Sequence, residues 1–484
     1  TKCRIVHEIF TLFNAVINIF MSNKVSDLKN FCILPFIHLA TTTEGNVRLC
    51  CKVNRKKVAV KNNNEKFNIA KDSVTEIWNS DYMNEARQKI LNDERLPECE
   101  ICWKEEVDFD KDWTEVGPKQ FLPSKRMKEN VKWQDALTRS FDEIVTNPQI
   151  SYFDIRLNNL CNLKCRMCWP QFSSQIVKEQ QQFQDTNQPT WYKDLTFDKI
   201  DDISVFWKSL EDNIFEVKEI TFVGGEPTLH DEMYDLLDNL VEKDYAKQIT
   251  LKMTTNLTNL QPRLLAVINK FERVIFNLSI DGTEKVNEYI RYPSKWEVLS
   301  TNLAKLLEQD GKQVTINISY VVQIYNVFDV FDMAKWYIEQ FRVNQRIRYN
   351  FNLSFDFLYD PSRLSIKILN NQGKKAWFEE YTKWKQYYKN LMDNIDNEPE
   401  NVKVTWYKID RINKDIVKIG KHADVLIPNE EKTEMVFNAL PSNLTEDQHG
   451  HKAEQRIECE KYTEQLDAHR GQSILDIFPK FYEY

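Results

Sequence analysis

The residues of this chain with the most to say about chemistry are its ten cysteines, at positions 3, 32, 50, 51, 99, 102, 161, 165, 168 and 459. Evenly scattered cysteines would suggest a disulfide framework, a habit of small secreted domains. Here the chain runs to 484 residues and its cysteines cluster, which points to metal instead. The tightest group is Cys161-x-x-x-Cys165-x-x-Cys168. A structural zinc site closes on four ligands, and this loop supplies three, with no further Cys or nearby His. Three thiolates in a short loop suit a four-iron cluster with one iron left open, although zinc or three unrelated thiols stay open on the triplet alone.

The elements that must position the triplet sharpen the reading. Residues 150–157 alternate like a strand, so the loop sits at a strand's C-terminal end. Residues 219–227 form a second apolar strand running into Gly224-Gly225-Glu226-Pro227. Two adjacent glycines are informative in a chain with only ten, because they let the backbone approach a ligand closely. Glu226 adds a carboxylate that can receive a ligand ammonium group.

With the triplet after one strand and GGEP after the next, the sequence resembles the radical SAM superfamily. Residues 251–256 look like that family's third strand, ending in Thr255-Asn256, with Leu257 where Gly is usual. Residues 274–282 look like the fourth, ending in Ser279-Ile-Asp281-Gly, and residues 314–322 and 348–353 supply the fifth and sixth. The resemblance spans roughly residues 148–360. It implies that Cys161, Cys165 and Cys168 hold the catalytic [4Fe–4S] cluster. S-adenosylmethionine would meet Gly224, Gly225, Glu226 and Pro227 at its methionine end, and Asn256, Ser279 and Asp281 toward its ribose.

Upstream, Cys32 is followed by twelve residues, Gly45, four residues and Cys50, and later by Cys99-x-x-Cys102. Two separated pairs of thiolates can close a zinc site or saturate a second [4Fe–4S] cluster. The Cys-x12-Gly-x4-Cys stretch resembles the opening of the SPASM/twitch auxiliary-cluster module, which implies the second cluster on Cys32, Cys50, Cys99 and Cys102. The departure is positional, since that module usually follows the core and here precedes it. Cys51 is left as a spare or buried thiol, Cys3 and Cys459 as ordinary ones, and His38, His230 and His469 are assigned no chemistry.

The expected fold class is α/β: a partial (β/α)6 barrel with a small Cys-rich domain before it and a mainly helical extension after it. The expected division is a leader at 1–25, read as lying outside the functional domain, the auxiliary-cluster domain with its helical connector at 26–147, the core at 148–362 and the extension at 363–484. The leader reading rests on residues 5–20, apolar but interrupted by Glu8 and Asn14, with no small-residue cleavage site after them. Trp377, Tyr381, Trp384, Tyr388 and Leu391 recur at helical spacing and read as core packing. The basic run Arg55, Lys56, Lys57 and Lys61 reads as a solvated loop.

Composition excludes several classes. With 42% hydrophobic and 12% aromatic residues the chain has the apolar mass for real cores, and disorder is ruled out. No run of 18 uncharged apolar residues exists to span a membrane. A net charge of −8 gives no electrostatic reason for a nucleic-acid partner. The resemblance therefore implies a cytoplasmic enzyme that cleaves S-adenosylmethionine to a 5′-deoxyadenosyl radical and takes hydrogen from a peptide or protein, with an electron donor such as flavodoxin or ferredoxin. The alternatives are a nucleic-acid-modifying radical SAM enzyme and a non-catalytic protein binding metal through cysteine.

Overall fold

The structure is a computed structural model that describes residues 28, 30–53, 57–100, 102–103, 140–192, 204–309, 313–344, 350–425 and 446–484. The leader, Cys3, Arg55 and Lys56, most of the helical connector and the start of the sixth anticipated strand lie outside them.

In chain order the main elements are β1 (His38–Thr41), β2 (Val47–Arg48), α1 (Asp81–Leu91), β3 (Tyr152–Ile155), α2 (Ser174–Asp185), α3 (Ser204–Asp212), β4 (Glu219–Phe222), α4 (Asp231–Glu242), β5 (Thr250–Thr255), β6 (Arg273–Ser279), α5 (Glu284–Ile290), α6 (Trp296–Leu307), β7 (Val314–Val322), α7 (Val330–Val343), β8 (Phe351–Phe357), α8 (Asn371–Asp393), α9 (Trp406–His422) and α10 (Glu446–Arg470). The strand order is β2-β1-β3-β4-β5-β6-β7-β8. From β3 onward the strands keep chain order, and each registered pair among them is parallel. That is the α/β order of six βα steps, with a mainly helical C-terminal region after them. Among the described residues no helix is long and apolar enough to cross a membrane.

Contacts divide the chain into two compact units. The first comprises Thr1–Asn159, Phe197–Met253 and Lys270–Arg273, and the second Leu160–Thr196, Thr254–Asn269 and Val274–Tyr484.

In the first unit the upstream segment adds strands of its own to the core's sheet. β1 pairs parallel with β3 in the register His38↔Tyr152 and Ala40↔Asp154, and β2 folds back antiparallel on β1. One face of these strands is apolar: Phe153, Ile155, Ile220, Phe222, Leu251 and Met253 are all buried. The other face carries His38, Tyr152, Asp154, Glu219, Thr221 and Lys252. Parallel strands covered on both faces usually read as continuous apolar runs, and the polar row on this face departs from that pattern. α4 follows the GGEP turn with Asp231 and Glu232 in its first turn and Met233, Tyr234, Leu236, Leu237 and Leu240 buried, an amphipathic stripe.

In the second unit β6, β7 and β8 carry a matching polar row. Asn317 Nδ2 donates to Asn277 Oδ1 at 3.0 Å and Asn352 Nδ2 to Asn317 Oδ1 at 2.8 Å, rungs set by the register Asn277↔Asn317↔Asn352. The aromatic stripe anticipated as core packing lies on α8. Trp377, Tyr381, Trp384 and Leu391 are buried, and Tyr388 donates to Asp410 on α9. Buried indole nitrogens need acceptors. Trp377 donates to Val327 O and Trp384 to Asn413 Oδ1.

Candidate active site

The Cys161–Cys168 loop leaves β3 and is pinned at both ends by backbone and side chain. Ser173 caps α2, accepting from Ile176 N, and its hydroxyl donates to Leu163 O at 2.6 Å. Lys164 N and Arg166 N donate to Tyr292 O and Ile290 O, carbonyls at the end of α5 that have no helical partner. Cys161 and Cys165 are buried with Leu163, and Met167 and Cys168 pack against them.

The three thiols face one another closely enough that, beyond the effect of burial, Cys165 and Cys161 each push the Cys168 thiol further up. Burial likewise raises Cys165. Groups this reluctant to ionise alone are deprotonated when a metal takes their place as the local charge. Arg291 supplies a cation beside them: its Nη1 lies 3.8 Å from Cys165 Sγ. The backbone N–H of Leu163 points at Cys161 Sγ at 3.5 Å. The other described cysteine of this unit, Cys459, meets Thr463 and Tyr325, and burial pushes it up to about 12. The donor set is therefore three soft thiolates backed by a guanidinium and an amide, which fits a four-iron cluster with an open iron.

Several residues holding this loop were not legible in the sequence. Arg166, between two of the cysteines, is fully buried. It donates to Tyr289 O at 3.1 Å, to Gln472 Oε1 at 2.9 Å and to Asp467 of α10, and its guanidinium lies 3.7 Å from the centre of the Tyr289 ring. Tyr462 of α10 donates to Arg166 O, and Tyr192 to Cys168 O. Glu179 on α2 takes both arms of Arg470 at 2.9 and 2.6 Å and the Lys164 ammonium at 3.2 Å. Burial alone would raise the Glu179 carboxyl, but these two cations hold it below the usual carboxylate range. The C-terminal helix is thus part of the scaffold of the cysteine loop.

The GGEP segment sits in the first unit. Gly224 has φ +80° and Gly225 φ +55°, and a Cβ on Gly224 would come within 3.0 Å of Arg156 Cγ and Thr43 Cγ2, so both the conformation and the space demand glycine. Glu226 is buried; its Oε1 accepts from the Thr228 hydroxyl at 2.7 Å and from Thr228 N at 3.3 Å, which orients the carboxylate, and Pro227 starts the following turn.

In the second unit Asn256 is tied to the cysteine loop: its Nδ2 donates to Asn162 Oδ1 at 3.0 Å, while its Oδ1 accepts from Thr258 N and Oγ1. Leu257, where glycine is usual in the family resembled, adopts φ +58°, a left-handed conformation that costs a non-glycine residue about 1–2 kcal/mol. Its carbonyl is held by Asn302. Ser279 ends β6 beside Ser319. Asp281 is fully buried, bridges to Arg291 at 2.7 Å and accepts from Val321 N at 2.8 Å. It holds the guanidinium that faces Cys165.

The upstream cysteines also gather. The Cys50 thiol, raised chiefly by burial, is raised further by Cys32, Cys51 and Cys102 around it. The Tyr82 hydroxyl lies within the field of both Cys99 and Cys50. Four thiols drawn from distant stretches of chain fit a closed four-ligand site. Cys51 points elsewhere: after burial, which pushes it up to about 11, its main neighbours are Asp154, Arg156 and Arg48.

Two family models match the chain. The radical SAM superfamily matches residues 155–336, and the SPASM iron–sulfur cluster-binding domain matches residues 32–103. The chain carries a radical SAM domain preceded by a SPASM domain. The resident cofactors of that pairing are iron–sulfur clusters of the [4Fe–4S] type and S-adenosylmethionine, in keeping with the two donor sets above. The chain has no match among curated proteins. Among solved structures it is similar to anSMEcpe with bound AdoMet, at 21% identity over 52% of this chain and 60% of that one, TM-score 0.35. It is also similar to SuiB of Streptococcus suis, at 15% identity over 54% of this chain and 52% of that one, TM-score 0.28. The chain thus spans about 60% or less of the length of these two proteins. The radical SAM domain here follows its SPASM domain, the order the sequence indicated.

Proposed function

We propose that the protein is an enzyme that reductively cleaves S-adenosylmethionine at a cluster held by Cys161, Cys165 and Cys168 and removes hydrogen from a peptide or protein. The observation that carries this reading is the donor set itself: three mutually facing thiols, those of Cys161 and Cys165 buried, on one pinned loop, with Arg291 at Cys165. When bound, the cluster supplies the electron that breaks the sulfonium bond and yields the 5′-deoxyadenosyl radical.

The chain's own residues do the positioning. Gly224 and Gly225 open the backbone to the methionine end of the cofactor. Glu226, oriented by Thr228, receives its ammonium group. Asn256 and Ser279 serve the ribose side, and Asp281 acts through Arg291. The polar row on the strands of the first unit, with Glu219 paired to Lys252, suits a polar substrate such as a peptide backbone. Shielding the reacting C–H from water and competing donors is the remaining task of the site.

Cys32, Cys50, Cys99 and Cys102 would hold the second cluster, which would offer an electron acceptor for the substrate or support the docking surface. Flavodoxin or ferredoxin is the class of electron donor, and the cytoplasm the compartment in which such thiols stay reduced. Anaerobic reconstitution with dithionite and S-adenosylmethionine, followed by chromatography for 5′-deoxyadenosine, tests the reading: the wild type should form it and Cys161→Ala should not.

A further inference from the structure

Beside the second cluster's ligands lies a group that neither cluster uses. His38 Nδ1 or Nε2, Cys51 Sγ and an Asp154 carboxylate oxygen all come within 4.8 Å of one another. The fold brings them together from three places: His38 from β1, Asp154 from the neighbouring strand β3 on the same face, and Cys51 from just beyond β2. His38 is completely buried, its ring flat against Tyr152 at 4.1 Å, and neither of its ring nitrogens has a hydrogen-bond partner among the described residues. Such an orphan in a protein interior calls for an explanation, and a bound ion is one of the standard ones.

We propose that His38, Cys51 and Asp154 form a third metal site, taking a single divalent ion of zinc's character. An imidazole, a thiolate and a carboxylate are the ligand types zinc shares among its sites, and three protein ligands leave a fourth position for water. Cys51 is only partly buried, which gives that position a route to solvent. Tetrahedral zinc with bonds of ~2.0–2.3 Å keeps its ligand atoms about 3.3–3.6 Å apart, so the trio closes by about 1.5 Å at most, the scale of small side-chain rotations.

Two guanidiniums flank the group, and they set the charge balance. Arg156 is committed to Asp154 and to Thr41 O, and Arg48 donates to Val53 O at 3.2 Å. A thiolate and a carboxylate neutralise the ion's two charges, and Arg156 on the carboxylate is the outer partner that metal-bound carboxylates usually have. The site would fasten Cys51, and with it the neighbouring cluster ligand Cys50, to β1 and β3. Zinc therefore acts here as a positioning ion, distinct from the iron of either cluster.

The test uses the full chain with its clusters reconstituted, then exposed to zinc and desalted, with metal content measured and zinc K-edge absorption recorded, an edge to which iron is silent. About one zinc per chain is expected, with one sulfur and three nitrogen or oxygen neighbours. Cys51→Ser and His38→Gln should each lower retained zinc tenfold or more while iron stays at the wild-type load. Zinc surrounded by sulfur alone would place it in a cluster site and overturn the proposal. So would a wild type that keeps no zinc, or variants that keep it fully. Iron lost from Cys51→Ser would make Cys51 a cluster ligand and overturn the proposal as well. The wild-type coordination shell decides the question even if a variant does not fold.

Discussion

The two cysteine sets are built in opposite ways. The catalytic loop gathers three thiols from eight consecutive residues and holds them with a local network: Ser173 on Leu163, α5 carbonyls on Lys164 and Arg166, and α10 side chains on Arg166 and Glu179. The SPASM set draws four thiols from residues 32 to 102, with the β1–β2 hairpin between Cys32 and Cys50 and a short turn at Pro97–Cys99 before Cys102. A loop fixed by protein can wait for its cluster, whereas thiols brought from afar are fixed largely by the metal they share. The difference suits a catalytic cluster whose open iron must be precise and a second cluster that is itself a piece of structure.

The largest effect separates the two sets. Changing Cys161, Cys165 and Cys168 together to Ala should abolish 5′-deoxyadenosine formation and lower iron from about eight to about four per chain, while thermal unfolding stays close to that of the wild type. Changing Cys32 and Cys50 to Ala should also remove about four irons. In that case the unfolding midpoint of the first unit should fall markedly, as it does when a metal is coupled to folding. Equal stability in both variants would erase the contrast. A version of the second variant that remains folded by circular dichroism should still cleave S-adenosylmethionine and lose turnover of the true substrate.

Next in size is the scaffold of the catalytic loop. Glu179→Gln leaves Arg470 buried without its counter-charge and should cost about 3–5 kcal/mol, measured by denaturant unfolding. The pH dependence has a definite sign. Because Glu179 is held below the usual carboxylate range in the fold, its contribution is complete above about pH 4–5 and is lost as pH falls through the depressed value. The variant should lack that acid-side loss.

Glu226→Gln should weaken S-adenosylmethionine binding about ten- to a hundredfold, the size of a charge-assisted hydrogen bond of roughly 1.5–3 kcal/mol, with the cluster intact. Unchanged affinity would leave GGEP as a turn only. The smallest expected effect on the cluster itself is at Arg291. Arg291→Gln also leaves Asp281 buried without its counter-charge, so it is read in protein shown by circular dichroism to be folded: losing the charge beside Cys165 should move the catalytic cluster's midpoint potential to more negative values, by about 60 mV, the size of a tenfold shift in a one-electron couple, and leave the second cluster's potential alone.

What the sequence made legible follows from the range of the interactions. Strands with an apolar rhythm were readable, and 314–322 emerged as β7 with the same bounds. So were motifs whose residues lie within a few positions of each other, such as the triplet and GGEP. The chain gave no local sign that β1 and β2 would extend the core sheet, because a four-residue and a two-residue strand carry too little pattern. Arg166, Arg291 and Asp467 escaped for another reason: each is an ordinary charged residue whose meaning lies in a partner far along the chain. The one signal that could have pointed inward was the recurrence of polar residues at alternate positions in strands expected to be buried on both faces, Asp154, Thr221 and Asn277 among them. Asp281 was legible as a motif residue, while its bridge to Arg291 was not, because that partner too is an ordinary charged residue.

The central claim is that the three thiols of residues 161–168 hold a cluster able to cleave S-adenosylmethionine. The most direct measurement is 5′-deoxyadenosine formed by the anaerobically reconstituted, dithionite-reduced chain, set beside its Cys161→Ala variant. The account predicts formation that depends on both reductant and S-adenosylmethionine in the wild type and none in the variant. A fully iron-loaded wild type that forms none, or a variant that forms as much, would contradict it.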